Sequence, residues 1–219
     1  MNTMYKYRPK SLAEFVFHTP FLEREIMRYA NRKSKEPLIL HGPPGSGKSL
    51  LAELIPKEME GSGVLINHVN ADQLSKPEEV RQTLPRNEHF DKLFGITGQD
   101  IHYTIVEEFI SHPKAISALR VCLDEMTKRG LDLYIFTTND LSQVDPAIQS
   151  RSKVLEVLPA PPEKFFPRAK LVIQSEGFVP DEPTLLRSLQ ATYLAKGDNR
   201  HYYRDLDTMI ESMRSSRSM

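Results

Sequence analysis

The sequence predicts an α/β fold in which a parallel five-stranded sheet flanked by helices precedes a small all-α domain. Five short apolar runs alternate with segments of helical spacing, which is typical of a parallel sheet covered on both faces. Prolines at positions 159, 161 and 162 then form a stiff joint, and no strand pattern follows them. The 219 residues are enough for one such core and a small appended domain. We therefore predict a sheet domain over residues 1–158 and a helical domain over residues 159–219.

The individual elements follow from the period of their apolar residues. The predicted strands are rich in Val, Ile, Leu or Tyr and cover residues 37–41, 64–69, 103–106, 133–137 and 154–158. Helical spacing covers residues 21–30, 49–59 and 114–128, and beyond the joint residues 163–175, 181–196 and 198–212. Gly177 and Gly197 are natural breaks between the last three helices. The Ser- and Arg-rich tail from Ser212 is expected to be frayed.

The composition excludes a disordered or fibrous protein and a globally basic one. Hydrophobic residues make up 39% and charged residues 26%, as in ordinary globular domains. Lys plus Arg number 29 and Asp plus Glu number 29, so any DNA contact must be a local basic patch. Lys114, Arg120, Lys128 and Arg129 are candidates, and a solvated helix face explains each of them singly at least as well. The single Cys122 forms no internal disulfide and is interpreted as a small buried apolar residue. No stretch has the length of a membrane span, and we expect a cytoplasmic protein.

A glycine-rich loop carries the strongest chemical signal. The residues are Gly42, Pro43, Pro44, Gly45, Ser46, Gly47, Lys48 and Ser49, placed between a predicted strand and a helical pattern that begins at Leu50. Glycines let successive backbone amides face phosphate groups, and the helix N-terminus adds a favourable dipole. Lys48 would reach the β- and γ-phosphates and Ser49 would ligate Mg²⁺. The sequence therefore predicts an ATP site with Mg²⁺.

Two later strands end in polar side chains that suit the same chemistry. Residues 102–106 lead into Glu107 and Glu108, and we assign Glu107 to the metal and Glu108 to the attacking water. Residues 133–138 lead into Asn139, which is placed to hydrogen-bond the γ-phosphate or the water. Taken alone, the acids are slightly better explained as a solvated pair, and Asn139 is explained equally well as a turn residue. The order of the three motifs favours the functional interpretation.

The order and wording of these motifs resemble the clamp-loader branch of the AAA+ ATPases. Residues 5–9 (Tyr-Lys-Tyr-Arg-Pro) resemble the box that covers adenine in that family, which implies nucleotide contacts for Tyr7, Arg8 and Pro9. Residues 69–72 (Val-Asn-Ala-Asp) are similar to the family's N-A-S-D element. The resemblance covers almost the whole chain, and it implies an AAA+ core with a helical lid.

Two arginines acquire roles from the same resemblance. Residues 150–152 are similar to the S-R-C box, with Ser152 where that family has Cys, which implies that Arg151 is an arginine finger supplied to a neighbouring subunit. Residues 197–200 resemble the G-D-x-R sensor 2 motif, which implies that Arg200 contacts phosphates in its own subunit. A helix capped by Asp198 explains the second pattern as well.

Three departures from the family pattern stand out. Glu107 replaces the usual Asp, which implies slow turnover if the longer acid displaces the metal. No segment matches the family's helical collar domain, so either a longer native chain or a compact relative is expected. The zinc-binding cysteines of bacterial subunits are missing as well, which favours archaeal, eukaryotic or phage-type relatives.

Four functions remain open at this point. The first is a clamp-loader-like ATPase that acts in a homo- or hetero-oligomer on DNA and on a sliding clamp. The second is an AAA+ ATPase for helicase loading, branch migration, transposition or defence. The third is a small P-loop kinase, in which Asn139, Arg151 and Arg200 would have no role. The fourth is a nucleotide-binding subunit with little turnover.

Overall fold

The computed structural model describes residues 2–84 and 101–217. Within them the chain forms two compact units. Residues 21–42, 48–84 and 101–157 form the first, the sheet unit, and residues 2–20, 43–47 and 158–217 form the second, the helical unit. The boundary predicted after Leu158 stays a prediction.

The sheet unit contains five parallel strands in the order β2-β3-β4-β1-β5. The strands are β1 (Leu38–His41), β2 (Ile66–Asn70), β3 (His102–Glu107), β4 (Asp132–Thr138) and β5 (Lys153–Glu156). Each parallel connection needs a crossover, and helices or turns supply it. The predicted α/β fold with a five-stranded parallel sheet is confirmed.

Several helices of the sheet unit bury apolar side chains in one cluster with these strands. The helices of this unit are α2 (Pro20–Ala30, whose first residue lies in the other unit), α3 (Lys48–Glu60), α4 (Pro77–Thr83), α5 (Ile116–Arg129) and α6 (Pro146–Gln149). Short 3₁₀ turns cover Ala71–Leu74 and Leu141–Gln143. One buried cluster joins Phe136 of β4 and Val106 of β3 to Leu123 of α5. Cys122 is buried in it, and burial raises the pKa of its thiol to about 11, as expected for an unreactive core residue.

The helical unit has its own core. It contains α1 (Thr3–Lys6), a 3₁₀ turn at Leu12–Glu14, α7 (Pro162–Ser175), α8 (Glu182–Lys196) and α9 (Asn199–Arg217). Phe165 stacks on Tyr202 with ring centroids 4.5 Å apart, inside a buried cluster that joins α7, α8 and α9. Gly197 ends α8 in the left-handed conformation, as its sequence position predicts.

The prediction of a frayed tail from Ser212 is wrong, because α9 continues to Arg217. Met213 packs against the apolar cluster of the helical unit, so the segment does bury side chains. The hydroxyl groups of Ser215 and Ser216 each donate to the carbonyl four residues earlier, which is compatible with a helix. In the part of the chain that the structure describes, no helix is long and apolar enough to cross a membrane.

Candidate functional site

The carboxyl edge of the sheet gathers most of the predicted site residues of the sheet unit. His41, the last residue of β1, pairs with Thr138 of β4, so Gly42 and Asn139 occupy the next positions of adjacent strands. On the other side of β4, Val106 pairs with Phe136, which places Glu107 and Glu108 at the end of β3. Ends of parallel strands meet at one edge, and this is where ligands bind in open α/β sheets.

Gly42 starts the glycine-rich loop in a conformation that other residues rarely adopt. Its φ is +143°, and a Cβ atom built there would lie 2.2 Å from the carbonyl oxygen of Val157. Only glycine lets β1 pass so close to the chain after β5. Steric contact with Val157 thus explains why the loop begins with glycine.

Lys48 and Ser49 open helix α3 directly behind the loop. The Lys48 side chain is largely buried, and its Nζ donates to the carbonyl oxygen of Gly42 over 2.8 Å. No acidic residue lies in the first turn of α3, so the positive end of the helix dipole is not neutralised there. A buried ammonium group and a helix N-terminus together suit a phosphate group.

Residues 43–47 of the loop belong to the helical unit. Gly45 and Gly47 have φ values of +74° and +103°, so this stretch turns its backbone as phosphate-binding loops require. Ser46 is buried, and its hydroxyl has no hydrogen-bond partner among the residues that the structure describes. Buried hydroxyl groups are normally paired, so Ser46 Oγ is an exception within the described residues.

The two acids at the end of β3 differ in environment. Glu107 Oε1 lies 3.4 Å from His68 Nδ1 on β2, and the Glu107 side chain is 44% exposed. Glu108 is exposed and has a φ of +51°, which is uncommon for a residue with a side chain. Its backbone N–H lies 3.3 Å from Thr137 Oγ1 on β4, and the N–H of Phe109 donates to the Thr137 carbonyl over 2.7 Å. The left-handed turn is therefore tied to β4.

The described residues contain no group of three His, Cys, Asp or Glu side chains that could hold a metal ion. This does not conflict with Mg²⁺ binding by Ser49 and Glu107. Mg²⁺ keeps several waters and is held by one or two protein oxygens together with substrate phosphates. A serine hydroxyl and one carboxylate fit that donor set.

Arg151 is not brought to the carboxyl edge. Lys153, the first residue of β5, pairs with Leu38, the first residue of β1, so Arg151 lies near the opposite edge of the sheet from Gly42. There its Nε donates to Asp124 Oδ1 over 2.8 Å, and its Nη1 donates to the carbonyl of Ala147 over 2.9 Å. Within the sheet unit, Arg151 is thus separated from Gly42 by the length of the strands.

In the helical unit Asp198 lies against the glycine-rich loop. A Cβ atom built on Gly45 would be 1.9 Å from Asp198 Oδ1, so only glycine permits this approach. Asp198 Oδ1 accepts the backbone N–H of Arg200 over 2.7 Å and its carboxylate pairs with the Arg200 guanidinium. The helix-capping interpretation of this motif is therefore realised, and the sensor role of Arg200 stays a prediction.

The N-terminal box is attached to helix α7 and to the residue that follows it. Tyr7 Oη donates to Glu176 Oε1 over 2.7 Å, and Arg168 of α7 donates to the Tyr7 carbonyl. Burial raises the pKa of the Tyr7 phenol. Arg8 is exposed and Pro9 is half-buried, and the predicted nucleotide contacts of all three residues stay predictions.

Two residues at the site were missed by sequence reasoning. Asn199 hydrogen-bonds the backbone of the loop, and Glu176 accepts hydrogen bonds from the N-terminal box. Asn199 lies inside the G-D-x-R pattern at the position where any residue is allowed, so its type carried no signal. Glu176 stands next to a helix end with nothing in its neighbourhood to mark it.

Comparison with known proteins gives a consistent result. The family model described as "ATPase family associated with various cellular activities (AAA)" matches residues 38–160. Replication factor C subunit 3 of Oryza sativa subsp. japonica is 28% identical over 198 residues, covering 89% of this chain and 53% of that protein. The replication factor C small subunit of Archaeoglobus fulgidus is 26% identical over 203 residues, covering 89% of this chain and 59% of that protein. The chain thus spans about half the length of the curated relatives it matches.

A solved structure supports the fold. Thermotoga maritima RuvB matches with a TM-score of 0.54 and 18% identity, covering 93% of this chain and 72% of that one. At this identity the likeness concerns the fold alone. The predicted resemblance to the clamp-loader branch is confirmed by the replication factor C relatives.

Proposed function

Because this chain belongs to the ATPase family associated with various cellular activities (AAA), we propose that it binds ATP with Mg²⁺ and hydrolyses it in an oligomer that acts on DNA. The observation that carries the proposal is the loop of residues 42–49 between β1 and α3, with Glu107, Glu108 and Asn139 at the ends of neighbouring strands. Its relatives among replication factor C subunits favour a clamp-loader-like role.

The nucleotide site uses residues with distinct tasks. Backbone amides of residues 42–50 and the buried ammonium of Lys48 bind the β- and γ-phosphates. Tyr7, Arg8 and Pro9 cover the adenine, and Ser49 and Glu107 hold the metal. When bound, Mg²⁺ neutralises charge that develops on the phosphates.

Hydrolysis requires a positioned water. Glu108 accepts a proton from this water as its oxygen attacks the γ-phosphorus, and the bond from that phosphorus to the oxygen bridging to the β-phosphate breaks. Asn139 orients the water or the γ-phosphate, and Arg200 contacts the phosphates in the same subunit. ADP and inorganic phosphate are the products.

Arg151 completes the site of a neighbouring subunit. Its place near the edge of the sheet opposite Gly42 supports this, because a guanidinium there lies at the other end of the strands from Gly42. Contact across an interface stabilises the charge of phosphoryl transfer. ATP hydrolysis thereby reports assembly of the oligomer.

Nucleotide binding and turnover are tested separately. ATP binding is measured with Mg²⁺ for the wild type, for Lys48→Ala and for the exposed control Lys33→Ala, and only Lys48→Ala is expected to lose it. The ATPase rate per subunit is then followed against protein concentration, with primed DNA and with a sliding clamp added in turn. We expect the rate to rise with concentration and with both additions.

Several outcomes would contradict parts of the proposal. If the wild type does not retain ATP, the whole proposal is wrong. A rate per subunit that is equal at every dilution removes the shared site, and transfer of phosphate to a small acceptor indicates a kinase. Stimulation by neither DNA nor clamp, but by another protein, assigns the ATPase to a different task.

A further inference from the structure

Asn199, the first residue of helix α9, makes two hydrogen bonds to the glycine-rich loop and a third to Ala160, all within the helical unit. Its backbone N–H donates to the carbonyl oxygen of Gly45 over 3.2 Å. Its side-chain Nδ2 donates to the carbonyl oxygen of Ser46 over 3.0 Å. Its Oδ1 accepts the backbone N–H of Ala160 over 2.9 Å. One amide side chain therefore connects the loop to the chain just before α7.

Phosphate-binding loops create a need for such donors. The amide groups that face a phosphate lie on peptides whose carbonyl groups point the other way, since N–H and C=O of a trans peptide are opposed. A buried carbonyl must find a donor elsewhere. Ser46 is 1% exposed, and Asn199 supplies the donor for its carbonyl.

We propose that Asn199 is a positioning residue for ATP binding: by holding the Ser46 carbonyl, its side chain fixes the peptide between Ser46 and Gly47 so that the Gly47 N–H faces the phosphates. The inference rests on the proposed function and adds to it a residue that acts through the loop backbone. Gly47, whose φ is +103°, lacks a Cβ atom, so its peptide has more freedom to rotate than that of other residues. A side-chain anchor on the preceding carbonyl restricts that rotation.

Other contacts set the background against which Asn199 acts. Asp198 lies against Gly45, and the backbone N–H of Asn199 remains after any substitution of its side chain. The loop would therefore stay near α9 in a variant. What changes is the orientation of the Ser46 carbonyl and the pairing of the Ala160 N–H, whose residue is fully buried.

Two substitutions separate the bond to the loop from the bond to Ala160. Asn199→Leu has a similar volume, adds no charge and loses both side-chain bonds. Asn199→Asp keeps an oxygen for the Ala160 N–H and loses only the donor to Ser46. Asn31 offers the matched control, because its Nδ2 also donates to a backbone carbonyl, that of Met27 at 2.7 Å, at an exposed place in the sheet unit.

The experiment measures binding of ATP and of adenosine to the full chain, together with thermal unfolding without ligand. We expect Asn199→Leu and Asn199→Asp to weaken ATP about tenfold, the size of one unmet buried hydrogen bond, and to leave adenosine unchanged. The Asp variant is measured at low and at high salt, and the part of its deficit that shrinks with salt is assigned to the added charge and not to the lost donor. Asn31→Leu and Asn31→Asp should match the wild type in both affinities.

The outcomes distinguish this inference from the proposed function. If the wild type binds ATP and Asn199→Asp binds it equally well while only Asn199→Leu unfolds earlier, the residue supports Ala160 alone and the inference is wrong. Equal losses for ATP and adenosine also overturn it, because the loop contacts phosphates only. A wild type without ATP binding removes the proposed function itself. If the Leu variant does not fold, the Asp variant decides.

Discussion

Arg151 Nε donates a hydrogen bond of 2.8 Å to Asp124 Oδ1, so the proposed arginine finger has an acidic partner inside its own chain. The two side chains are 28% and 49% exposed, respectively. Ion pairs at this exposure contribute about 1 kcal/mol or less, because water and salt screen them. The pair orients Arg151 near the surface and is weak enough for Arg151 to exchange Asp124 for the proposed nucleotide of a neighbouring subunit.

Replacing Arg151 with Ala should therefore leave ATP affinity unchanged and lower turnover by about 10³-fold or more, the usual effect of losing an arginine finger. Binding and steady-state hydrolysis measure the two effects. The matched change Asp124→Asn should keep turnover and alter the free energy of unfolding by less than about 1 kcal/mol.

Mixing experiments then test whether Arg151 works across an interface. Arg151→Ala subunits keep Glu108, and Glu108→Gln subunits keep Arg151, so about a quarter of randomly formed interfaces should be complete in an equal mixture. Activity should return on mixing. A mixture as inactive as its two components would contradict a shared site.

Glu108 should limit stability as well as support turnover. Its φ of +51° costs a non-glycine residue about 1–2 kcal/mol, which glycine avoids at a smaller entropic cost. We expect Glu108→Gly to raise the free energy of unfolding by about 0.5–1 kcal/mol while removing hydrolysis. Glu107→Gly, in a regular strand position, should lower stability instead. Denaturant unfolding measures both, and a destabilised Glu108→Gly protein would refute the strain.

The close approach of Asp198 to Gly45 predicts a large effect from a single methyl group. Gly45→Ala adds a steric clash with the Asp198 carboxylate to the strain at φ +74°. Gly177→Ala adds only strain, at φ +83° with open space around it. We expect Gly177→Ala to cost about 1 kcal/mol and Gly45→Ala to cost more and to weaken ATP binding. Equal stability and equal ATP affinity of the two variants would contradict the contact.

Glu176 predicts a pH dependence of the helical unit. Hydrogen bonds from Lys6 and then from Tyr7, each 2.7 Å long, hold the pKa of this buried carboxyl below its ordinary value of 4.5. A folded-state pKa below the unfolded value means that the stabilisation is present above pH 4.5 and is lost as pH falls through the lowered pKa. Glu176→Gln should lower the unfolding temperature at pH 7.

The difference between wild type and Glu176→Gln should shrink when both are unfolded at successively lower pH, because the wild-type carboxyl is then protonated as well. The exposed Glu23→Gln serves as control and should follow the wild type. A Glu176→Gln deficit that stays the same size at every pH at which the protein still folds would show that shape, and not charge, matters at this position.

Much of the fold could be predicted because each helix or strand is indicated by the residues of its own segment. The predicted strand at residues 37–41 matches Leu38–His41, and the helix predicted over residues 181–196 matches Glu182–Lys196. Both predictions used only the spacing of apolar residues and the glycine breaks within each segment. The gathering of Gly42, Glu107 and Asn139 at one edge also followed, because parallel strands end at the same side. The chemical roles of these residues stay predictions.

Other features depend on contacts between distant segments and could not be predicted. The left-handed turn at Glu108 is tied to Thr137 on another strand, and nothing in the residues around Glu108 requires it. Asn199 meets Ser46 across more than 150 positions of sequence. The pairing of Arg151 with Asp124 likewise brings a loop to a helix that its own residues do not specify.

The strand order also governs how the chain matures on the ribosome. Strand β1 pairs with β4 and β5, so Leu38 cannot form its strand pairing until Ile135 has been synthesised, about 100 residues later. At translation rates of about 5–20 residues per second, that delay is about 5–20 s. During this interval Leu38, Ile39 and Leu40 have no neighbouring strand. The nascent chain therefore exposes to chaperones a hydrophobic segment that directly precedes the glycine-rich loop in the sequence.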